Sequence, residues 1–267
     1  MQTDITGKSF VSIAIERLKE HEPAEGYHLA FSGGKDSICC YKLCMMSGVK
    51  FVPRYSMTTI DPAEVTRFIR KEYPNVIWDR PFYKGHRTNF YELVSKMGLP
   101  NRHRRWCCGK LKESNGPKGS TVVLGVRWAE SAKRKGRPVY GKYNGKFFLN
   151  PIVDWSDEDV WEFIRENELA YPSVYDTGSK RVGCILCPLA CRKKRLSDYE
   201  KYPQHVLAIE KAVSKYLETH SDSGLFNWGA DAHEIVYHWV ADSPIESAKG
   251  SCMQSVLSGD DFEEHEV

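Results

Sequence analysis

An apolar run, Tyr27-His28-Leu29-Ala30-Phe31, passes without a break into Ser32-Gly33-Gly34-Lys35-Asp36-Ser37, and from there into a segment of helical character reaching Met46. A buried strand, a glycine turn and a helix in that order confine the chain to an α/β fold on a parallel sheet, since a strand apolar on both faces needs helices to cover it. The unit then repeats. Gly48 stops the helix, Phe51 to Met57 reads as a second strand, Pro62 to Tyr73 as a helix, and Val76 to Trp78 as a third strand. Upstream, Phe10, Ile13, Ala14 and Leu18 recur with the 3.6-residue period of an amphipathic helix over 10–21, closed by Pro23 and Gly26.

Farther on, Phe82 to Met97 reads as helix, and Asn101 to Lys118 as a functional loop with one short helix. Thr121 to Val126 is the next strand, while Lys133 to Lys146 is so basic and glycine-rich that it forms an exposed excursion or hairpin. Ser156 is the N-cap of a helix whose third position is Asp159 and whose apolar side holds Val160, Trp161, Phe163 and Ile164. Helices are expected from Pro203 to Thr219 and from Asp231 to Val240, followed by an acidic, mobile tail, Asp260 to Val267. The expected organisation is an α/β domain over 1–200, with a parallel twisted sheet and helices on both faces, and a mostly helical C-terminal extension over 201–267.

Composition narrows the class. Hydrophobic residues make up 41% and charged residues 27%, the balance of an ordinary globular protein rather than a disordered one. No apolar run reaches the ~20 residues needed to cross a bilayer, and the N-terminus lacks a basic-then-apolar leader, so a cytoplasmic chain without membrane partners is expected. The net charge of only +3 does not mark the whole molecule as a nucleic-acid binder, and the basic clusters Arg102 to Arg105 and Lys133 to Lys135 read either as solvated faces or as local phosphate contacts. Nine cysteines, odd in number and irregular in spacing, do not form a secreted disulfide framework and point to metal or redox chemistry.

Gly33 and Gly34 let the backbone turn sharply beside an anion, and the N–H groups of the loop and of the helix's first turn face phosphate oxygens. Lys35 supplies a point charge, the hydroxyls of Ser32 and Ser37 can donate, and Asp36 either holds a Mg²⁺ bridging the phosphates or caps the helix. The loop is not the longer Gly-x4-Gly-Lys-Ser/Thr type. A serine and two glycines also occur in ordinary turns.

Cys107-Cys108 and Cys184-Ile185-Leu186-Cys187 are two local pairs that can supply four thiolates, which suit tetrahedral Zn²⁺ or a [4Fe-4S] cluster. Adjacent cysteines converge poorly on one ion and better on a cluster with separate irons. Cys39, Cys40 and Cys44 read as small core residues of the helix after the loop, and Cys191 as a spare ligand or a reactive thiol.

Ser-Gly-Gly-x-Asp-Ser after the first strand resembles the signature of the PP-loop ATP pyrophosphatase superfamily, with its adenine nucleotide alpha hydrolase-like fold. The cysteine pairs with Gly183, and the stretches Leu124 to Ser131 and Asn150 to Trp161, are similar to the phosphoadenylylsulfate (PAPS) and adenylylsulfate reductase family within it. The resemblance covers residues 27 to 190. It implies ATP, adenylylsulfate or PAPS bound by Ser32, Gly33, Gly34, Lys35, Asp36 and Ser37. It adds Arg127 and Glu130 at the substrate site, Arg127 as a fork for phosphate or sulfate, and Thr58, Thr59 and Asp61 near ribose or phosphate. A [4Fe-4S] cluster on Cys107, Cys108, Cys184 and Cys187 is also implied.

Two departures from that family matter. The C-terminal cysteine segment of the reductases is missing, leaving Cys252, beside Lys249, as the candidate nucleophile. The first loop also keeps the intact form of enzymes that cleave ATP, with Lys35, Asp36 and Arg127 in catalytic roles. The first expectation is therefore an enzyme that cleaves ATP to AMP and pyrophosphate and transfers sulfur to an acceptor, as the tRNA thiolases and DNA-phosphorothioation proteins of the superfamily do. Its partners would be a nucleic acid or a sulfur-donor protein, with a second copy of the chain as a homodimer partner. The basic stretches would then track phosphates, and Trp106, Tyr140 and Tyr143 would stack on bases. The alternatives are a thioredoxin-dependent reductase making sulfite, and a nucleotide-binding partner subunit with a structural cluster.

Overall fold

The computed structural model describes residues 7–113, 118–220, 225 and 228–243. The acidic tail expected over Asp260 to Val267 lies outside the described residues. The elements run α1 (Phe10–Glu20), β1 (Tyr27–Ala30), α2 (Lys35–Ser47), β2 (Phe51–Ser56), α3 (Ala63–Glu72), β3 (Ile77–Asp79), β4 (Phe82–Tyr83), β5 (His86–Arg87) and α4 (Phe90–Met97). They continue through α5 (Trp106–Leu111), β6 (Thr121–Val123), β7 (Tyr140–Tyr143), β8 (Lys146–Leu149), α6 (Asp157–Glu166), α7 (Arg192–Lys201), α8 (Pro203–Thr219) and α9 (Ala232–Ala241). The chain folds into two compact units, residues 1–87 with 108–183, and residues 88–107 with 184–267.

The first unit is a six-stranded sheet in the order β3-β2-β1-β6-β8-β7, parallel throughout except for the β7–β8 hairpin at one edge. Register places Leu29 opposite Pro53 and Val123, and Val123 opposite Leu149, so the alternation of each strand sends Tyr27, Leu29, Tyr55, Val123 and Leu149 to one face. There they join Ala14 and Leu18 of α1, Ile38 and Leu43 of α2, Val65 and Ile69 of α3, and Val160 and Phe163 of α6 in one core. Burying each such side chain contributes about 1.5–3 kcal/mol, so most of the unit's stability lies on this face. The chain moves from β1 outward through β2 to β3, then returns to the other side of β1 to lay down β6. That reversal puts the switch point between β1 and β6, where open α/β sheets place their ligands.

The second unit is helical. α4 packs on α8, α8 on α9, and α7 on both α8 and α9. The unit boundary therefore differs from the one expected at residue 200: 88–107 and 184–200 leave the sheet because α4 and α7 find their partners in the C-terminal helices. Within Phe82 to Met97 only the second half is helix, since Lys84 and Gly85, both at positive φ, turn β4 into β5 as a hairpin. Among the described residues no helix is long and apolar enough to cross a membrane.

Candidate functional site

The loop between β1 and α2 is held by its own serines. Ser37 Oγ donates to the Gly34 carbonyl at 2.8 Å and accepts the Ser32 N–H at 3.2 Å, while Ser32 Oγ accepts the Gly34 N–H at 3.3 Å. Gly33 sits at φ +70°, and a Cβ there would lie 2.7 Å from Ile69 Cγ1, so both conformation and space demand glycine. The Lys35 N–H, one of the helix's first-turn donors that have no partner within the helix, donates to the Tyr175 hydroxyl at 3.0 Å.

Beside the loop four charged groups close a ring. Arg127, 1% exposed, donates through Nε to Asp36 Oδ1 at 2.6 Å, through Nη2 to Asp157 Oδ1 at 2.6 Å, and through Nη1 to the Trp155 carbonyl at 3.1 Å. Lys35, 5% exposed, places Nζ 3.3 Å from Asp36 Oδ2 and 3.2 Å from Asp157 Oδ1. Gly125 makes this approach feasible, because a Cβ there would stand 2.9 Å from the Asp36 carbonyl carbon. Burial alone would raise the pKa of Asp157, but the hydrogen bond from Arg127 and the charges of Lys35 and Arg127 outweigh it and hold the carboxyl below its ordinary value. Burial would likewise lower that of Arg127, yet Asp36 and Asp157 raise it.

A cavity of about 240 Å³ opens at the carboxyl ends of the strands on the switch-point side, lined by Ala30, Ser32, Arg54, Asp61, Leu124 and Val182 among others. Arg54 is paired with Asp79. Asp61 Oδ2 accepts the Thr58 N–H at 2.8 Å, and Thr59 stands at φ +64°. Asp61 thus reaches the cavity, and Thr58 and Thr59 shape the turn that carries it.

Several sequence expectations change here. The Arg127 fork, expected at phosphate or sulfate, is engaged with two carboxylates and a carbonyl and organises the acidic groups beside the loop. Glu130 accepts the Arg127 N–H at 3.0 Å and pairs with Arg134 instead of contacting the loop. Both Asp36 oxygens hold protein cations, which leaves the Mg²⁺ role without support. Trp106, 7% exposed and stacked on Phe90, is not available to a base. Tyr143 is exposed at 62%, and Tyr140 stacks on His21 and Phe147. Sequence reasoning does not reach Asp157 and Tyr175 as site residues. Asp157 reads in sequence only as the first residue of a capped helix, and nothing local marks Tyr175, whose role depends on a contact across 140 positions.

Cys107, Cys108, Cys184 and Cys187 are partly buried cysteines outside any disulfide. Cys108 belongs to the first unit, and Cys107, Cys184 and Cys187 to the second. Leu186, at φ +53° between Cys184 and Cys187, donates its N–H to the buried Asp198 at 3.2 Å, which fixes the turn. Among the described residues no three His, Cys, Asp or Glu side chains are arranged to hold a metal ion. Cys39, Cys40 and Cys44 are buried, and burial raises all three thiol pKa values, Cys44 to about 12. Cys191 is exposed, and Cys252 lies outside the described residues.

Comparison with known proteins bears on these features together. The phosphoadenosine phosphosulfate reductase domain family matches residues 26–190. An uncharacterized protein of Methanocaldococcus jannaschii is 30% identical over 189 residues, covering 66% of this chain and 44% of that protein. The adenosine 5′-phosphosulfate reductase of Allochromatium vinosum is 29% identical over 119 residues, 40% of this chain and 46% of that protein. The chain thus spans less than half the length of these relatives. Among solved structures, a phosphoadenylyl-sulfate reductase from Candida auris in complex with phosphate superposes with a TM-score of 0.49 at 16% identity, covering 69% of this chain and 97% of that one. The matched span begins just before β1, contains the glycine loop and the Arg127 ring, and runs past both cysteine pairs: this chain belongs to the phosphoadenosine phosphosulfate reductase domain family.

Proposed function

We propose that the chain is an enzyme that binds ATP on the Ser32–Ser37 loop, cleaves it to AMP and pyrophosphate, and supports iron-sulfur-dependent transfer of sulfur to an acceptor. The observation that carries the nucleotide half is the placing of an intact, serine-braced glycine loop and a buried lysine at the sheet's switch point, beside a cavity at the strand ends. The adenosine would occupy that cavity and the phosphates the loop. An acceptor oxygen would attack the α-phosphorus, the bond to the bridging oxygen would break, and pyrophosphate would leave with its electron pair, its charge met by Lys35 and the loop amides. A sulfur nucleophile would then displace that oxygen from the acceptor, and the oxygen would leave with its electron pair as part of AMP.

Cys107, Cys108, Cys184 and Cys187 would hold the [4Fe-4S] group. Four reduced, partly buried thiols, one pair on a turn fixed by Asp198, are the donor set such a group takes. When bound it supplies a site for sulfur or electron transfer. Iron and acid-labile sulfide in anaerobically purified protein test this directly; colourless protein with stoichiometric zinc would overturn it. The acceptor would be a nucleic acid tracked by the basic stretches, with Tyr143 able to stack, or a sulfur-donor protein would dock there.

The test of the whole reading is pyrophosphate release from ATP, alone and with tRNA or DNA. Release stimulated by an acceptor is expected, falling about 10²-fold or more in the Lys35→Ala, Asp36→Ala double variant. The likeness to an adenosine 5′-phosphosulfate reductase favours one second reading, reduction of adenylylsulfate or PAPS to sulfite. Sulfite formation abolished by Cys252→Ser, without pyrophosphate release, would put that reading first. A protein that binds nucleotide but turns over neither substrate would be a partner subunit.

A further inference from the structure

The ring beside the loop contains two cations and two anions, so its charges balance internally although Lys35 stands at the edge of a loop suited to anions. Its two carboxylates are not equivalent. The Asp36 side chain is 21% exposed, and its Oδ1 is committed to Arg127. The Asp157 side chain is 62% exposed, and one oxygen, Oδ1, serves both Arg127 Nη2 and Lys35 Nζ. Arg127 is anchored independently by the Trp155 carbonyl and Asp36, so it stays in place whether or not Lys35 remains. Of the contacts that hold Lys35, the one to Asp157 is therefore the cheaper to break, because water can take over the exposed carboxylate.

We infer that Asp157 is a positioning residue, an internal anion that parks the Lys35 ammonium and competes for it with the phosphates of the incoming nucleotide. The inference rests on the proposed use of the loop for phosphate. Before nucleotide arrives, Asp157 keeps a buried lysine paired. With a polyphosphate bound, Lys35 turns to the ligand and Asp157 keeps Arg127. The carboxylate thus lowers affinity for any polyphosphate, and so helps product pyrophosphate to leave.

Asp157→Asn tests this, since the amide oxygen still accepts from Arg127 Nη2 while the charge is lost. Titration calorimetry with pyrophosphate and with α,β-methylene-ATP is expected to show binding about two- to fivefold tighter than wild type, the range of a partly exposed ion pair. In a Lys35→Gln background the same substitution is expected to give no gain. A merely structural role would weaken binding, not tighten it. Asp157→Glu, which restores the charge, is expected to return the affinity toward wild type. Equal or weaker binding by folded Asp157→Asn protein overturns the inference, as does a gain that persists undiminished beside Lys35→Gln. A wild-type chain that binds neither probe overturns both the inference and the assignment of the loop, and so distinguishes the two failures.

Discussion

Gly33 and Gly34 are adjacent and look interchangeable, yet the structure asks different things of them. At Gly33, with φ +70°, an added Cβ would meet two Ile69 side-chain carbons at 2.7 and 2.9 Å. Gly33→Ala is expected to cost about 1–3 kcal/mol in urea unfolding, from backbone strain and crowding of α3. At Gly34, with φ −83°, the closest atom would be Tyr175 Oη at 3.3 Å, so Gly34→Ala should fold nearly as well while crowding any bound phosphate. Loss of stability in both, or in neither, would contradict this. Asp157 adds a pH dependence whose sign follows from its lowered pKa. Its contribution to stability is complete above the ordinary value of 3.8 and is lost as the pH falls through the lower folded value. Unfolding free energies measured between about pH 5 and 2 should fall less steeply for Asp157→Asn than for wild type. The loop itself was legible at this scale because its signature is contiguous. The ring was not, because Lys35, Arg127 and Asp157 meet only after the sheet has folded.

Among the elements, the beginning and apolar side of α6 are legible in sequence, since its start is written locally. Ser156 Oγ accepts the Asp159 N–H at 3.1 Å and Asp159 Oδ2 accepts the Ser156 N–H at 2.8 Å, a reciprocal cap. Because Asp157 is the first residue of that helix, Ser156→Ala should cost about 1 kcal/mol in unfolding and also alter nucleotide affinity. An equal loss of stability with unchanged affinity would separate the cap from the ring. The β4–β5 hairpin is hard to see in sequence because Lys84-Gly85 is a weak version of the usual Asn-Gly signal and stands a few residues before the apolar positions Phe90, Leu93 and Val94 of α4. Helix α7 is hard to see for a different reason. It carries no apolar stripe and buries two polar residues, Arg195, which donates to the Trp239 carbonyl at 3.1 Å, and Asp198, which accepts from Leu186 and Lys194. Periodicity arguments look for hydrophobic faces and pass over a helix fixed by hydrogen bonds.

Among the described residues of the whole molecule, the cysteines sort by environment in a way that composition alone could not show. Three are sealed in the first unit's core, where burial raises their pKa and removes the reactive thiolate. Cys107, Cys108, Cys184 and Cys187 are partly accessible, and Cys191 is exposed. Thiol chemistry in the native state should therefore proceed in classes. In cluster-free protein, of the eight described cysteines Cys191 is modified fastest, the four partly buried thiols follow, and Cys39, Cys40 and Cys44 react only at the rate of opening of the core, accelerating together through the unfolding transition in urea. In protein purified without oxygen and carrying iron and sulfide, the four are expected to fall silent while Cys191 keeps its rate, because a thiolate bound to iron is no longer a free nucleophile. Site-resolved labelling by mass spectrometry reads each class separately. Protection of Cys191 in place of one of the four would move the ligand set onto it, and labelling of Cys39, Cys40 or Cys44 ahead of unfolding would mean that the core around α2 opens far more readily than its burial implies.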